Sequence, residues 1–187
     1  VEKDKTCCAD RELYNDEYEF MVKQCAEHDL PFDLRNRHID HAVILTKHIL
    51  KNSRKKVFFL TGRLHQEFCA SIRAELEEAL ANGCRVEIIF VENGDMPPEI
   101  AALQKAHPGR LVLHRINAEM REKAREMGHF CVSDGCRYRI ERNHPFDQDF
   151  SKDKAVSAVA NFNCPDIAGQ LVAFFEDTLK HCEKVAA

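Results

Sequence analysis

The chain has 187 residues, enough for one domain with a substantial core, and 44% hydrophobic against 31% charged residues is the balance of an ordinary globular protein. No apolar run approaches the roughly 18 residues needed to span a bilayer, and the opening residues carry no apolar signal-peptide core. A net charge of −4 argues against a protein built mainly to coat nucleic acid, although basic residues gather locally at Arg35, Arg37, Lys47, Lys51, Arg54, Lys55 and Lys56.

In chain order, Tyr14, Tyr18, Met21, Val22 and Cys25 recur at the spacing of one helical face and predict a helix from about Asp10 to Glu27. Residues 29–36 contain Pro31 and little periodicity and read as a connector. Ile39, Val43, Thr46 and Leu50 mark a second helix that ends near Asn52-Ser53. From Lys56 the pattern turns to alternating strands and helices. Val57–Leu60 is a short apolar strand, and a helix beginning near Leu64 turns Phe68, Ile72, Leu76 and Leu80 inward. Asn82-Gly83 ends it, since glycine accepts the left-handed conformation after a helix. A strand follows at Arg85–Val91, then Met96-Pro97-Pro98 leads into a short helix to about Ala106, and a strand lies at Leu111–Ile116 after the Pro108-Gly109 break.

A charged helix, Ala118–Met127, precedes strands His129–Ser133 and Arg137–Arg142, with Asp134-Gly135 between them as a strong hairpin signal. The polar loop Asn143–Lys154 leads to a strand Val156–Asn161. Pro165 opens a last helix with Ile167, Leu171, Phe174, Phe175 and Leu179 on its core face. This order predicts an α/β fold, a mixed β-sheet with helices on both faces, preceded by N-terminal helices. Residues 1–36 read as an N-terminal helical segment and 37–187 as the α/β domain.

The nine cysteines are scattered and lack any C-x-x-C pair, so neither a disulfide framework nor a zinc ribbon organises the chain. Several fall at apolar positions, where a thiol acts as a small hydrophobe, and a reducing, cytoplasmic compartment is expected. His38-Ile-Asp-His41 puts two imidazoles on one helical face, but a structural zinc needs four ligands and no partner pair has matching spacing. No metal and no cofactor is expected.

The stretch MGHFCVSDGCRYRIERN, Met127–Asn143, resembles the catalytic segment of phospholipase D-like phosphodiesterases, H-x-K-x-x-x-x-D followed by a strand and Gly-Ser-x-Asn. The passages FFLTGRLHQEFCASIRAELEEALANGCRVEIIFVENG and AVSAVANFNCPDIAGQLVAFFEDTL are similar to that family's opening strand–helix–strand and its last strand and helix. The resemblance covers roughly Arg37–Cys182 and implies one repeat of the phospholipase D-like fold. It also implies a homodimer, because single-repeat members pair two motif strands across a two-fold axis.

Anchored on Asp134, the motif's histidine falls on Met127 and its lysine on His129, while the Gly-Ser-x-Asn run falls on Glu141, Arg142 and His144. In the family the histidine attacks phosphorus, which requires an imidazole nitrogen there, and the lysine neutralises charge on the phosphoryl oxygens. Met127 has no such nitrogen. A register shifted by two makes His129 the nucleophile but puts Cys131 at the lysine place and Cys136 at the aspartate place. The expectation is a non-catalytic phospholipase D-like domain that binds an anionic ligand, a nucleic acid or a protein. The rival is an active phosphodiesterase or nuclease working through His129, with Asp134 in support. Residues expected to line the cleft are Arg63, His65, His129, Asp134, Arg139, Glu141 and Asn163, with the guanidinium groups suited to an anion.

Overall fold

The computed structural model describes residues 4–91, 96–141 and 157–185, with side chains from residue 14 onward. The described residues form six helices and eight strands, beginning α1 Asp4–Glu27, β1 Leu34–Asn36, α2 Ile39–Lys51, β2 Lys56–Thr61, α3 Gln66–Ala81, β3 Arg85–Phe90 and α4 Pro98–Ala106. There follow β4 Leu111–Ile116, α5 Arg121–Met127, β5 His129–Ser133, β6 Arg137–Glu141, β7 Ala158–Asn161, α6 Pro165–Leu179 and β8 Cys182–Lys184. The polar loop after β6 and Val156, the first residue of the strand expected there, lie outside the described residues, and Ser157 precedes the strand.

All eight strands form one mixed sheet in the order β1-β7-β6-β5-β2-β3-β4-β8. The β2–β3 and β3–β4 pairs are parallel, and the others are antiparallel. Alternation along the strands divides the core in two. Val57, Val86, Ile88, Leu113 and Cys131 face one cluster, built with Val22 of α1, Leu45 and Ile49 of α2, Ile72 and Leu76 of α3 and Ile100 of α4. Phe58, Leu60, Ile89, Phe130, Val132 and Tyr138 face the other, covered by Ala168, Leu171 and Phe175 of α6 and Ala124 of α5. Helices therefore lie on both faces. Phe58 and Phe175 stack at 4.5 Å between ring centroids, an aromatic pair that adds to simple area burial.

Several local expectations are corrected. Residues 34–36 are not connector but an edge strand, antiparallel to β7 through Leu34↔Ala160 and Asn36↔Ala158. Three residues are too few to give a periodic signal, and only the partner strand makes them β. The same holds for β8, which closes the far edge against β4. The first helix starts at Asp4, α3 starts at Gln66 rather than near Leu64, and α5 starts at Arg121 rather than Ala118. Tyr18, Val22, Cys25 and Ala26 of α1 are buried in the same cluster as α2 and α3, so the first helix is packed onto the α/β core.

Candidate functional site

β2 and β5 run antiparallel with Leu60 opposite Phe130, so His129 enters the sheet beside Thr61. Gly128, at φ +78, closes α5 and turns the chain into β5. His129 Nδ1 lies 3.1 Å from Thr61 Oγ1 and accepts the Gly62 N–H at 3.3 Å. An amide can only donate, so Nδ1 uses its lone pair there and the neutral ring carries its proton on Nε2, a tautomer assigned from the hydrogen bonding. Thr61 Oγ1 also bonds to the Arg63 carbonyl at 3.0 Å, which fixes the turn between β2 and α3. Arg63 is half-buried in that turn, and His65 stands at the N-cap of α3 without making a side-chain cap.

Across the β5–β6 ladder Glu141 faces His129 and Arg139 faces Cys131. Arg137, Arg139 and Glu141 share one face, whereas Tyr138 and Ile140 join the α6 side, the alternation a regular strand imposes. Arg139 and Glu141 are only 6% and 8% exposed, so their charges must be met inside the protein. Arg139 donates Nη2–H to Glu141 Oε2 at 2.7 Å and Nε–H to Asn36 Oδ1 at 2.8 Å, and Asn36 donates in turn to the His38 carbonyl at 2.7 Å. α1 and α2 cover this network. Tyr18 stacks on His41 with centroids 3.7 Å apart and donates its hydroxyl proton to the Arg35 carbonyl at 3.2 Å. Burial raises the Tyr18 phenol well above its ordinary value, against a smaller lowering by Arg139, so it stays a neutral donor.

Asp134 is elsewhere. It occupies the far end of β5, and five residues of strand at about 3.3 Å each put roughly 16 Å between it and His129. Asp134 and Gly135 take φ +53 and +69, and the Cys136 N–H closes the turn on the Ser133 carbonyl at 3.1 Å. The Asp134 carboxylate accepts three successive backbone amides, Arg54 at 2.8 Å, Lys55 at 2.9 Å and Lys56 at 3.0 Å. Arg137 pairs with it at 3.4 Å and with Asp29 at 2.6 Å. Asn163 also lies at this end: its amide bonds to Asn161 Oδ1 at 2.9 Å, next to Cys164, whose amide reaches the Cys136 carbonyl at 2.8 Å.

Of the residues expected to line one cleft, the fold gathers Arg63, His65, His129 and Glu141 at the end where β2 stops and β5 starts. Arg139 stands one pair further in, held by Asn36 and Glu141. Asp134 and Asn163 belong to the opposite end. Met127 packs into the α5–α6 core and presents no side chain to His129's face. Cys131, at the lysine place of the shifted register, is 3% exposed, and burial raises its thiol, so it cannot act as a cation or thiolate there. Arg142 and His144 fall outside the described residues. Three contributors escaped the sequence reading: Thr61, Asn36 and Tyr18. Thr61 had a signal in its place immediately before Gly62 at a strand end, but nothing local marks Asn36 or Tyr18. Among the described residues no three His, Cys, Asp or Glu side chains are grouped to hold a metal ion.

Neither a protein-family model nor a curated protein matches the sequence. Solved structures do match in shape. Nuc from Salmonella typhimurium, a phospholipase D family member, superposes with a TM-score of 0.65 over 84% of this chain and 100% of its own, at 14% identity. The chain has the phospholipase D-like fold. NucT from Helicobacter pylori matches with a TM-score of 0.57 at 12% identity, covering 82% of this chain and 99% of its own. TrmBL2, an archaeal chromatin protein with a novel mode of DNA binding, matches with a TM-score of 0.59 at 13% identity, over 97% of this chain and 66% of its own. Within this phospholipase D-like sheet, the end bearing His129 is the candidate site. No helix among the described residues is long and apolar enough to cross a membrane.

Proposed function

We propose that this protein is a non-catalytic phospholipase D-like domain that binds an anionic ligand, nucleic acid or a protein partner. The observation that carries the reading is the hydrogen bond from the Gly62 amide to His129 Nδ1, made with Met127 packed in the core. Attack on phosphorus requires an imidazole nitrogen with a free lone pair. The lone pair of His129 faces a backbone amide, and a methionine occupies the motif's histidine place. Arg139, on the motif strand β6, is bonded to Glu141 and Asn36, which leaves it little freedom to follow charge developing on a phosphoryl group.

Binding is supported by what remains at that end. Arg63 and His65 flank the start of α3, where a planar or tetrahedral anion would meet a guanidinium group and an imidazole. The likeness in fold to an archaeal chromatin protein with a novel mode of DNA binding favours nucleic acid among the ligands. A homodimer, pairing two such ends across a two-fold axis, belongs to the same reading.

The test is hydrolysis of bis(p-nitrophenyl) phosphate and of single- and double-stranded DNA in EDTA, beside calorimetric titration with nucleotides. Binding without turnover is the expected result. EDTA-resistant cleavage that disappears in His129→Ala would overturn the proposal in favour of a phosphodiesterase using His129.

A further inference from the structure

The end of the sheet opposite His129 carries a row of cations contributed by adjacent strands. β2, β3 and β4 are parallel and begin together there. Lys56 lies beside Arg85 in the ladder, the Arg85 amide bonds to the Lys55 carbonyl at 2.9 Å, and the Val86 amide to the Arg110 carbonyl at 2.7 Å. Basic side chains thus leave neighbouring strands spaced about 4.8 Å apart. Arg54, Lys55, Lys56, Arg85 and Arg110 are all exposed.

Among the described residues, the acids at this end ion-pair with only one member of the row, Arg85. Asp134 faces three backbone amides and Arg137. Glu87 holds Arg85 at 2.9 Å and His114 at 3.1 Å. Glu77 and Glu78, exposed near the end of α3, make no ion pair with the row, and among the described residues none ion-pairs with Arg54, Lys55, Lys56 or Arg110. Three consecutive amides converging on one carboxylate form an anion nest whose anion is supplied by the protein itself. The turn is therefore set before any ligand arrives, with its amides occupied and Lys56 Nζ resting 5.9 Å from the Phe58 ring centroid, which lowers the ordering cost of binding.

We propose that this basic edge binds the phosphate backbone of double-helical nucleic acid. A line of cations along adjacent strand starts fits a linear polyanion, which presents one charge per about 1.7 Å of duplex axis, better than a single phosphate group. Single-strand binding relies on aromatic stacking platforms. Among the described residues the exposed aromatic side chains are Tyr14 and Phe20 on α1 and Phe32 before β1, and β1 lies four strands from β2 across the sheet. Contacts made by lysine and arginine to phosphate carry no base readout, so binding is independent of sequence. This inference rests on the reading of a binding domain without phosphodiesterase chemistry, and it places nucleic acid at the end of the sheet away from His129.

The experiment is fluorescence anisotropy of the full chain with a labelled 20-base-pair duplex of arbitrary sequence, as DNA and as RNA, at 50 to 200 mM salt. About four phosphate contacts predict an affinity loss of roughly 100-fold across that range. Arg54→Ala/Lys55→Ala/Lys56→Ala, on exposed positions with the backbone turn retained, reduces the salt dependence to less than about tenfold. Lys123→Ala/Lys180→Ala, at exposed cations beside Asp177 and outside the row, leaves both affinity and slope unchanged. Binding of either duplex with this pattern supports the proposal. Absence of duplex binding, binding to anionic phospholipid vesicles alone, or a folded triple variant that binds like the original chain overturns it. Loss of binding in Arg63→Ala/His65→Ala instead moves the nucleic acid to the His129 end and leaves the non-catalytic reading standing. That reading fails only through turnover, which the anisotropy does not measure.

Discussion

Replacing Asp134 tests whether the one motif residue standing in its place is structural. Its carboxylate accepts the amides of Arg54, Lys55 and Lys56 at 2.8, 2.9 and 3.0 Å, and its backbone holds φ +53. A carboxylate meeting free amides at a helix cap is worth about 1 kcal/mol. Three such contacts on an exposed turn are worth less than three times that, because water takes over part of the bonding, so about 1.5 kcal/mol is lost with the carboxylate. Asp134 already holds the left-handed conformation with a Cβ, so alanine adds only the loss of the local bonding that eases it, about 0.5 kcal/mol, while glycine escapes the strain but gives the unfolded chain more freedom, and the two roughly offset. Asp134→Ala should therefore lose about 2 kcal/mol, Asp134→Gly about 1.5, and Asp134→Asn, which tolerates the conformation and keeps one oxygen, about 1. For a chain of this size that is roughly 6 °C in Tm for alanine. Urea unfolding followed by circular dichroism gives the ranking, and hydrogen exchange at the amides of 54–56 gives the local effect. An alanine variant within about 0.5 kcal/mol of the parent, or equal losses in all three variants, would falsify the structural account.

Two further perturbations follow from buried charge. Arg139→Met strands Glu141 and Asn36 at positions under a tenth exposed and should cost about 3–5 kcal/mol, while Arg139→Met/Glu141→Leu, which removes both charges, should recover part of it. A double variant less stable than the sum of the single ones would contradict the pairing. His48 is 7% exposed, and burial first, then Lys51, holds its imidazole below the usual value of 6.5, against an opposing pull from Glu19. Above 6.5 the ring is neutral in both states; as pH falls below 6.5 the unfolded chain takes up a proton first, so stability declines. Urea midpoints at pH 7.5 and 5.5 should therefore lie closer together in His48→Gln than in the parent, and an unchanged gap counts against the buried neutral imidazole.

Much of the architecture was legible along the chain because it rests on local periodicity. The 3.6-residue face of Phe68, Ile72, Leu76 and Leu80, the apolar run before Gly62 and the Asp134-Gly135 turn each name their element without help from elsewhere. The candidate site was legible only in part. Reading Asp134 and His129 as members of one motif put them in one cleft, yet the extended backbone of β5 holds them about 16 Å apart. What the motif's letters could not reveal is that the carboxylate looks to β2's leading turn, eighty residues away in sequence.

Local chemistry therefore determined that this chain makes alternating strands and helices, that Met127 lacks a nucleophilic nitrogen and that Asp134 sits in a hairpin turn. Only tertiary structure decided which groups meet. The pairing of β5 with β2 sets the Gly62 amide against His129 Nδ1, and the pairing of β1 with β7 carries Asn36 to Arg139. The short strands β1 and β8 exist for the same reason: three residues have no intrinsic period, and a neighbouring strand must supply the hydrogen bonds that define them.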